Sequence, residues 1–261
     1  MTKIGVVGLG LIGGSIFKDL KSLGYAVVAV SQSQSGGNIY KNYDVLKDCE
    51  IVFVCTAMNK TLSVLDALEN ILDRDTIVTD VCSLKTFVCK KFRPYIFIPS
   101  HPMAGTEHKG YENSFEGLFK SATWVLTPFK STPKENIEKL VEVIKQLGAN
   151  PLFTTPTEHD KAAAMISHMP MLISQALFLA ASDSELALKM ASSGFRDMTR
   201  LALSNEEMAA DMINMNHENI QNAVLKLYKS VGELTSGDYP KLIKDIKQKR
   251  SQMFTKNVNK Y

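Results

Sequence analysis

The chain has 261 residues, enough for one large domain or two modest ones with a proper core, which excludes a small disulfide-stapled scaffold. Hydrophobic residues make up 45% and charged residues 22%, with 15 Gly and 9 Pro, so the composition is neither disordered nor collagen-like. Lys and Arg number 30 against 27 Asp and Glu, and a net charge of +3 gives no electrostatic case for nucleic acid as a partner, although Lys241 to Arg250 makes a locally basic face.

The runs Ile4 to Val7, Ala26 to Val30, Ile51 to Cys55 and Thr76 to Asp80 are β-branched and apolar without alternation. Such strands are covered on both faces, as in the doubly wound parallel sheet of a Rossmann-type α/β domain. The first leads into Gly8-Leu9-Gly10-Leu11-Ile12-Gly13, which opens a helical stretch. In that setting Gly8 permits a tight turn, Gly10 lets backbone amides approach a pyrophosphate, and Gly13 lets helix pack closely on strand. The helix N-terminus adds unpaired N–H groups and partial positive charge for the phosphates. After the second strand come Ser31, Gln32 and Ser33, where an NAD site usually carries Asp or Glu. Three neutral side chains tolerate a 2′-phosphate, so NADP is the expected cofactor and NAD the alternative, since no arginine stands there to bind that phosphate. Thr56 and Ala57, at the carboxyl end of the third strand, should flank the same crevice. The stretch from Ser31 to Glu50 is short for a full helix and strand, which trims the adenosine side of the pocket.

Further along, Tyr95 to Ile98 and Thr123 to Leu126 can add strands, and Thr132-Pro133-Lys134-Glu135 reads as a helix start capped by Thr132, with the helix ending near Gly148. From Thr157 the strand signals vanish. About four helices are expected, the first opened by Thr157 with Asp160 and a later one by Ser204 with Glu207. The expected division is a dinucleotide-binding domain over 1–152 and an all-α domain over 153–261. Ala162 to Ala181 is apolar almost all round, so it must be buried on most sides, and the helical half is too small to cover it. This helix is therefore expected in the core of a homodimer. Pro170 should kink it and free carbonyls near His168.

Cys49, Cys55, Cys82 and Cys89 never form a C-x-x-C pair, so no metal site or dithiol couple is expected; they read as buried reduced thiols. No apolar run approaches the ~20 residues of a membrane span, and the start lacks a signal peptide's layout. A soluble cytoplasmic protein with no membrane partner is the expectation.

Four more segments, Asp80-Val81-Cys82-Ser83-Leu84-Lys85, His101-Pro102-Met103-Ala104-Gly105-Thr106-Glu107, Ser167-His168-Met169-Pro170 and Gly194-Phe195-Arg196-Asp197-Met198-Thr199-Arg200, complete a pattern with the glycine fingerprint. Over residues 4 to about 203 the chain resembles the prephenate and arogenate dehydrogenases of tyrosine biosynthesis. The resemblance implies an oxidoreductase that removes hydride and carbon dioxide from a cyclohexadienol bearing a ring carboxylate. It implies His101 as the base for the hydroxyl proton, a role an imidazole titrating near neutrality suits, and Ser83 as the residue orienting hydroxyl and nicotinamide. Arg200 matches the cation for the ring carboxylate, since a guanidinium fork meets a carboxylate bidentately. By the same resemblance Glu107 gates the pocket, His168 orients the substrate side chain, and Gly194 and Asp197 belong to the substrate site, with Arg196 and Asp197 as a supporting ion pair. His108, His159 and His217 are left as surface residues.

Members that take prephenate often carry a second histidine three residues after the one matching His168, and Met171 stands there instead. Losing a potential cation near the side chain favours arogenate, with prephenate as the alternative. Two rival readings remain. A 3-hydroxyacid dehydrogenase or imine reductase would rely on a lysine, for which Lys85 is placed, and a nucleotide sensor would bind cofactor without turnover.

Overall fold

The computed structural model describes residues 2–106 and 108–258, with side chains of the last helix up to Met253. Six parallel strands, β1 (Lys3–Val7), β2 (Ala26–Val30), β3 (Ile39–Tyr40), β4 (Ile51–Val54), β5 (Ile77–Asp80) and β6 (Ile96–Phe97), form one sheet in the order β3-β2-β1-β4-β5-β6. Alternate residues of these strands serve two cores. Ile16, Phe17 and Leu20 of α1 (Leu11–Ser22) pack with Ile4, Val6, Ala29 and Phe53. Val64, Leu65 and Leu68 of α2 (Met58–Leu68) pack with Val7, Val30, Val52 and Val54 on the other face. Every position of β4 and β5 is buried, which is why their sequences do not alternate.

A second sheet was not foreseen. β7 (Ser100–Pro102), β8 (Thr123–Leu126) and β9 (Asn150–Phe153) run in the order β7-β8-β9, so the two later apolar runs fall in different sheets. Between β8 and β9, α3 (Lys134–Gln146) starts after Pro133 with no side-chain cap from Thr132. It ends as expected, with Gly148 at φ +84° just past it. The short stretch after Ser31 holds only β3 and one 3₁₀ turn, Tyr43–Leu46. No α-helix forms near Lys85, only a 3₁₀ turn at Val88–Lys90. The backbone N–H groups of Lys85 and Thr86 go to the Asp160 carboxylate, at 2.8 and 2.9 Å.

The helical half has α4 (Pro156–Ala163), a π-turn (Ala164–His168), α5 (Met169–Ser182), α6 (Glu185–Met190), α7 (Ser193–Thr199), a 3₁₀ turn (Arg200–Leu203), α8 (Glu206–Met215), α9 (His217–Ser236) and α10 (Tyr239–Val258), more helices than expected. Two caps differ from the sequence reading. Thr155 Oγ1 accepts from the N–H of Glu158 at 3.2 Å with Pro156 in the first turn, two residues ahead of Thr157. Asn205 Oδ1, not Ser204, accepts from Met208 N–H at 2.9 Å. Pro170 lies in the first turn of α5, directly after a widened π-turn.

Because the helix continues through Pro170, Pro156–Ser182 is long and apolar enough, by length and composition, to cross a membrane, contrary to the expectation that no run approaches that length. It nevertheless buries His159, Asp160 and His168, each hydrogen-bonded inside the protein, as a packed helix does. Nor is it buried on most sides within one chain: Ile166, Phe178 and Leu179 are exposed, Leu179 by 71%.

The glycine turn gives a test that separates packing from binding. A Cβ on Gly13 would lie 1.9 Å from the Gly8 carbonyl oxygen and 2.8 Å from Cys55 Cβ, whereas one on Gly10 meets nothing within 4 Å. Gly13→Ala should therefore lower the melting temperature by about 3–10 °C, from an overpacking cost of about 1–3 kcal/mol. Gly10→Ala should leave it unchanged. Thermal denaturation of both variants checks this, and equal shifts would refute it.

Candidate active site

The carboxyl ends of β1, β4 and β5 open on a cavity of about 780 Å³ shared with the helical half. Open parallel sheets bind ligands there. Gly8 turns the chain at φ +91°, where a Cβ would press on the Cys55 carbonyl at 2.7 Å, and its N–H donates to Val30 O at 2.8 Å. Beyond this turn Gly10, Leu11 and Ile12 line the cavity. The N-terminus of α1 has no side-chain cap and no acid in its first turn, so its N–H groups are available to an anion. Leu9 points its side chain into the core instead.

Thr56, Ala57, Ser83, His101 and Arg200 line the same cavity, drawn from both halves of the chain. Gly8 and Gly13 shape its floor without lining it, and Ser31, Gln32 and Ser33 lie beyond it at the end of β2. Ser31 is buried and its Oγ accepts from Gln34 N–H at 3.1 Å. Gln32 Nε2 donates to the Lys41 carbonyl at 3.0 Å. Two of the three expected adenosine-side groups thus hold their own loop.

His101 is set by a chain of buried groups. Its Nδ1 lies 2.9 Å from His159 Nε2, and His159 Nδ1 lies 2.8 Å from Asp160 Oδ1. Burial alone would raise the Asp160 carboxyl, but hydrogen bonds from His159, Thr86 and the backbone of Lys85 and Thr86 hold it below the usual carboxylate range. An ionised carboxylate only accepts, so His159 Nδ1 donates, and as a neutral imidazole its Nε2 accepts from His101 Nδ1–H. His101 Nε2 then carries the lone pair. Burial above all, with the basic neighbours His159, Lys85 and His168 opposing a further positive charge, pushes the His101 imidazole well below its ordinary pKa, so it is neutral at pH 7.

His159, expected on the surface, is buried. His108 and His217 are exposed as expected, though His108 also lines the cavity. His168 sits beneath the cavity, fully buried, while its neighbours Ser167 and Met171 line it. Its Nδ1 accepts from Asn216 Nδ2 at 3.1 Å, and its Nε2 has no partner among the described residues, so it donates to no freed carbonyl there. Burial pushes it down to about 4.

Arg200 is exposed and has no ion-pair partner among the described residues. Gly194 and Asp197 lie outside the cavity, on α7; Asp197 is exposed and only 3.8 Å from the exposed Arg196, a pair of little energetic weight. Glu107 lies outside the described residues. Two carboxylates not expected at the site, Glu207, taken from the sequence as part of a helix start, and Asp211, both on α8, line the cavity. Lys85 does not line it. Its ammonium is fully buried on the Asp80 carboxylate. The same carboxylate accepts from Cys82 N–H at 3.0 Å and Ser100 N–H at 3.3 Å, so it fastens the residues next to Ser83 and His101.

With this geometry the chain matches the nucleotide-binding domain of prephenate dehydrogenase over residues 29–152 and the dimerization domain of prephenate dehydrogenase over 155–256. It is similar to the arogenate dehydrogenase of Synechocystis, with 32% identity and a TM-score of 0.82 over 97% of this chain and 99% of that one. The chain belongs to the prephenate dehydrogenase family. A prephenate dehydrogenase of Bacillus subtilis (strain 168) is 31% identical over 82% of this chain, which spans 64% of that relative's length. The prephenate dehydrogenase of A. aeolicus, solved in complex with hydroxyphenyl propionate and NAD+, shares the fold at 24% identity, with a TM-score of 0.85 over 97% of this chain and 98% of that one.

Two measurements check the buried histidines. At pH 7, ¹⁵N spectra should show His101 as the Nδ1–H tautomer, and His159→Phe should erase that preference; a wild-type Nε2–H tautomer would refute the relay. His168 is protonated near 6.5 when unfolded and near 4 when folded, so the unfolded chain binds the extra proton between those values. Its contribution, about 3 kcal/mol, is full above pH 6.5 and is lost as pH falls towards 4. Urea unfolding of His168→Gln should accordingly show a flatter loss of stability over that window than the wild type.

Proposed function

We propose that this chain is a nicotinamide-dependent arogenate dehydrogenase, with residues 1–152 holding the dinucleotide and 153–261 completing the substrate site and pairing two copies. The observation that carries this reading is the convergence of His101, Ser83 and Arg200 on the cavity that begins at Gly10. The turn suits a dinucleotide: space stands open over Gly10, and the α1 N-terminus is uncapped. When bound, the nicotinamide supplies the hydride acceptor for an oxidative decarboxylation that leaves an aromatic ring.

His101 Nε2 takes the proton from the ring hydroxyl, and the relay to Asp160 steadies the imidazolium so formed. Ser83 orients the hydroxyl against the nicotinamide. Arg200 pairs with the ring carboxylate. The shared cavity brings carboxylates of Glu207 and Asp211 to the same space, and Asp211 is half-buried with no hydrogen-bond or ion-pair partner among the described residues. A wall carrying both signs suits a side chain that bears an ammonium as well as a carboxylate, which together with Met171 favours arogenate over prephenate. Lys85, the lysine on which a hydroxyacid dehydrogenase or imine reductase would rely, is buried on Asp80 and does not line the cavity. A homodimer is supported by the exposed apolar residues of the long helix, and NADP over NAD by the absence of any acid between Ser31 and Tyr43.

Steady-state absorbance at the nicotinamide band with each substrate tests the reading. Arogenate should turn over with the higher kcat/KM. His101→Asn should cut kcat about 100- to 10,000-fold with KM nearly intact, and Arg200→Gln should raise KM about tenfold or more with a smaller change in kcat. Higher efficiency with prephenate would reverse the substrate assignment. Cofactor binding without turnover of either substrate would favour a sensor.

A further inference from the structure

At the outer end of the cofactor crevice the mechanism leaves one cation unused. Lys41 directly follows β3, the edge strand that pairs with β2 in the register Val30↔Tyr40. Ser31 N–H donates to the Tyr40 carbonyl at 3.0 Å, and Gly8 N–H to the Val30 carbonyl at 2.8 Å, so Lys41 and the glycine turn both border the start of the loop after β2. That loop is where dinucleotide folds meet the adenosine ribose.

The Lys41 ammonium is not a loose surface charge. It donates to the carbonyls of Gln32 and Gln34, both at 2.9 Å, and the Gln32 side-chain amide donates back to the Lys41 carbonyl at 3.0 Å. This reciprocal clamp holds the amine over the loop with its third N–H uncommitted among the described residues. From Ser31 to Tyr43 the sequence carries no Asp or Glu, so nothing acidic within that stretch neutralises the amine or repels a phosphate. Ser33 adds an exposed hydroxyl 3.4 Å from Ser31 Oγ.

We infer that Lys41 binds the 2′-phosphate of NADP and is the residue that sets cofactor preference in this chain, in place of the arginine missing after β2. The inference rests on the nicotinamide reading above. A dianionic 2′-phosphate gains a charge-assisted contact from an amine already positioned over the loop, whereas a 2′-hydroxyl gains far less.

Two probes that need no turnover test it: titration calorimetry of the full chain with 2′,5′-ADP and with 5′-ADP. Wild type should bind 2′,5′-ADP more tightly, Lys41→Ala should weaken it about tenfold and leave 5′-ADP unchanged, and Lys41→Arg should restore the difference. The ratio of KM for NADP to KM for NAD should move in parallel. Equal weakening of both probes would make Lys41 a loop brace only and overturn the inference, as would no change in either. If wild type bound neither probe, the dinucleotide reading itself would fall; if it bound 5′-ADP as tightly as 2′,5′-ADP, only the role of Lys41 would.

Discussion

The site depends on one buried carboxylate. Asp160 stands at the start of the helical half, yet its oxygens accept from the backbone of Lys85 and Thr86, which follow β5, and from His159 Nδ1. Its own carbonyl accepts from Asn216 at the start of α9, at 2.9 Å. Three of these donors, from the segment after β5 and from α4, end on the carboxylate itself, so replacing that side chain would orphan them together, each at a cost of about 1–3 kcal/mol. Asp80 does the same on the sheet side through Cys82, Ser100 and Lys85. Neither carboxylate lines the cavity. They fix the segments on which Ser83 and His101 ride, and a buried ion pair kept at that position secures a particular geometry more than it adds stability.

This arrangement also decides the chemistry open to the imidazole. A lone histidine in a cleft chooses between two tautomers according to its surroundings. Here the choice is passed on from Asp160 outward, because a carboxylate without a proton makes its neighbour a donor and leaves the other nitrogen of a neutral imidazole as an acceptor. Burial then keeps the ring uncharged. Position, tautomer and protonation state of His101 follow from contacts made on the side away from the cavity.

What could be read in the sequence follows from how local its cause is. β1, β2, β4 and β5 show plainly because burial on both faces removes alternation, and the glycine turn shows because its steric demands fall within six residues. β7 and β9 do not show: Ser-His-Pro and Asn-Pro-Leu-Phe carry prolines, and their strand state is imposed by pairing with β8. His159 was missed through a two-residue error in a helix start. With Thr157 as cap, Asp160 becomes the exposed acid of a capping box. With Thr155 as cap, Glu158 takes that place, and His159 and Asp160 pass into the second turn facing inward. A misplaced cap thus hid the relay that orients His101.

The long apolar helix makes the same point about long-range causes. Its composition shows that it must be covered all round but not by what. In the fold one stripe, Asp160, Ala163, Ala164, His168, Met171 and Ser174, is buried at helical spacing and holds the polar relay. The other side carries Ile166, Phe178 and Leu179, apolar and exposed. Polar residues inside an apolar helix read as defects only while both sides are assumed to have the same partner. With one side docked on the nucleotide-binding half and the other free for a second copy, they mark the side that builds the site.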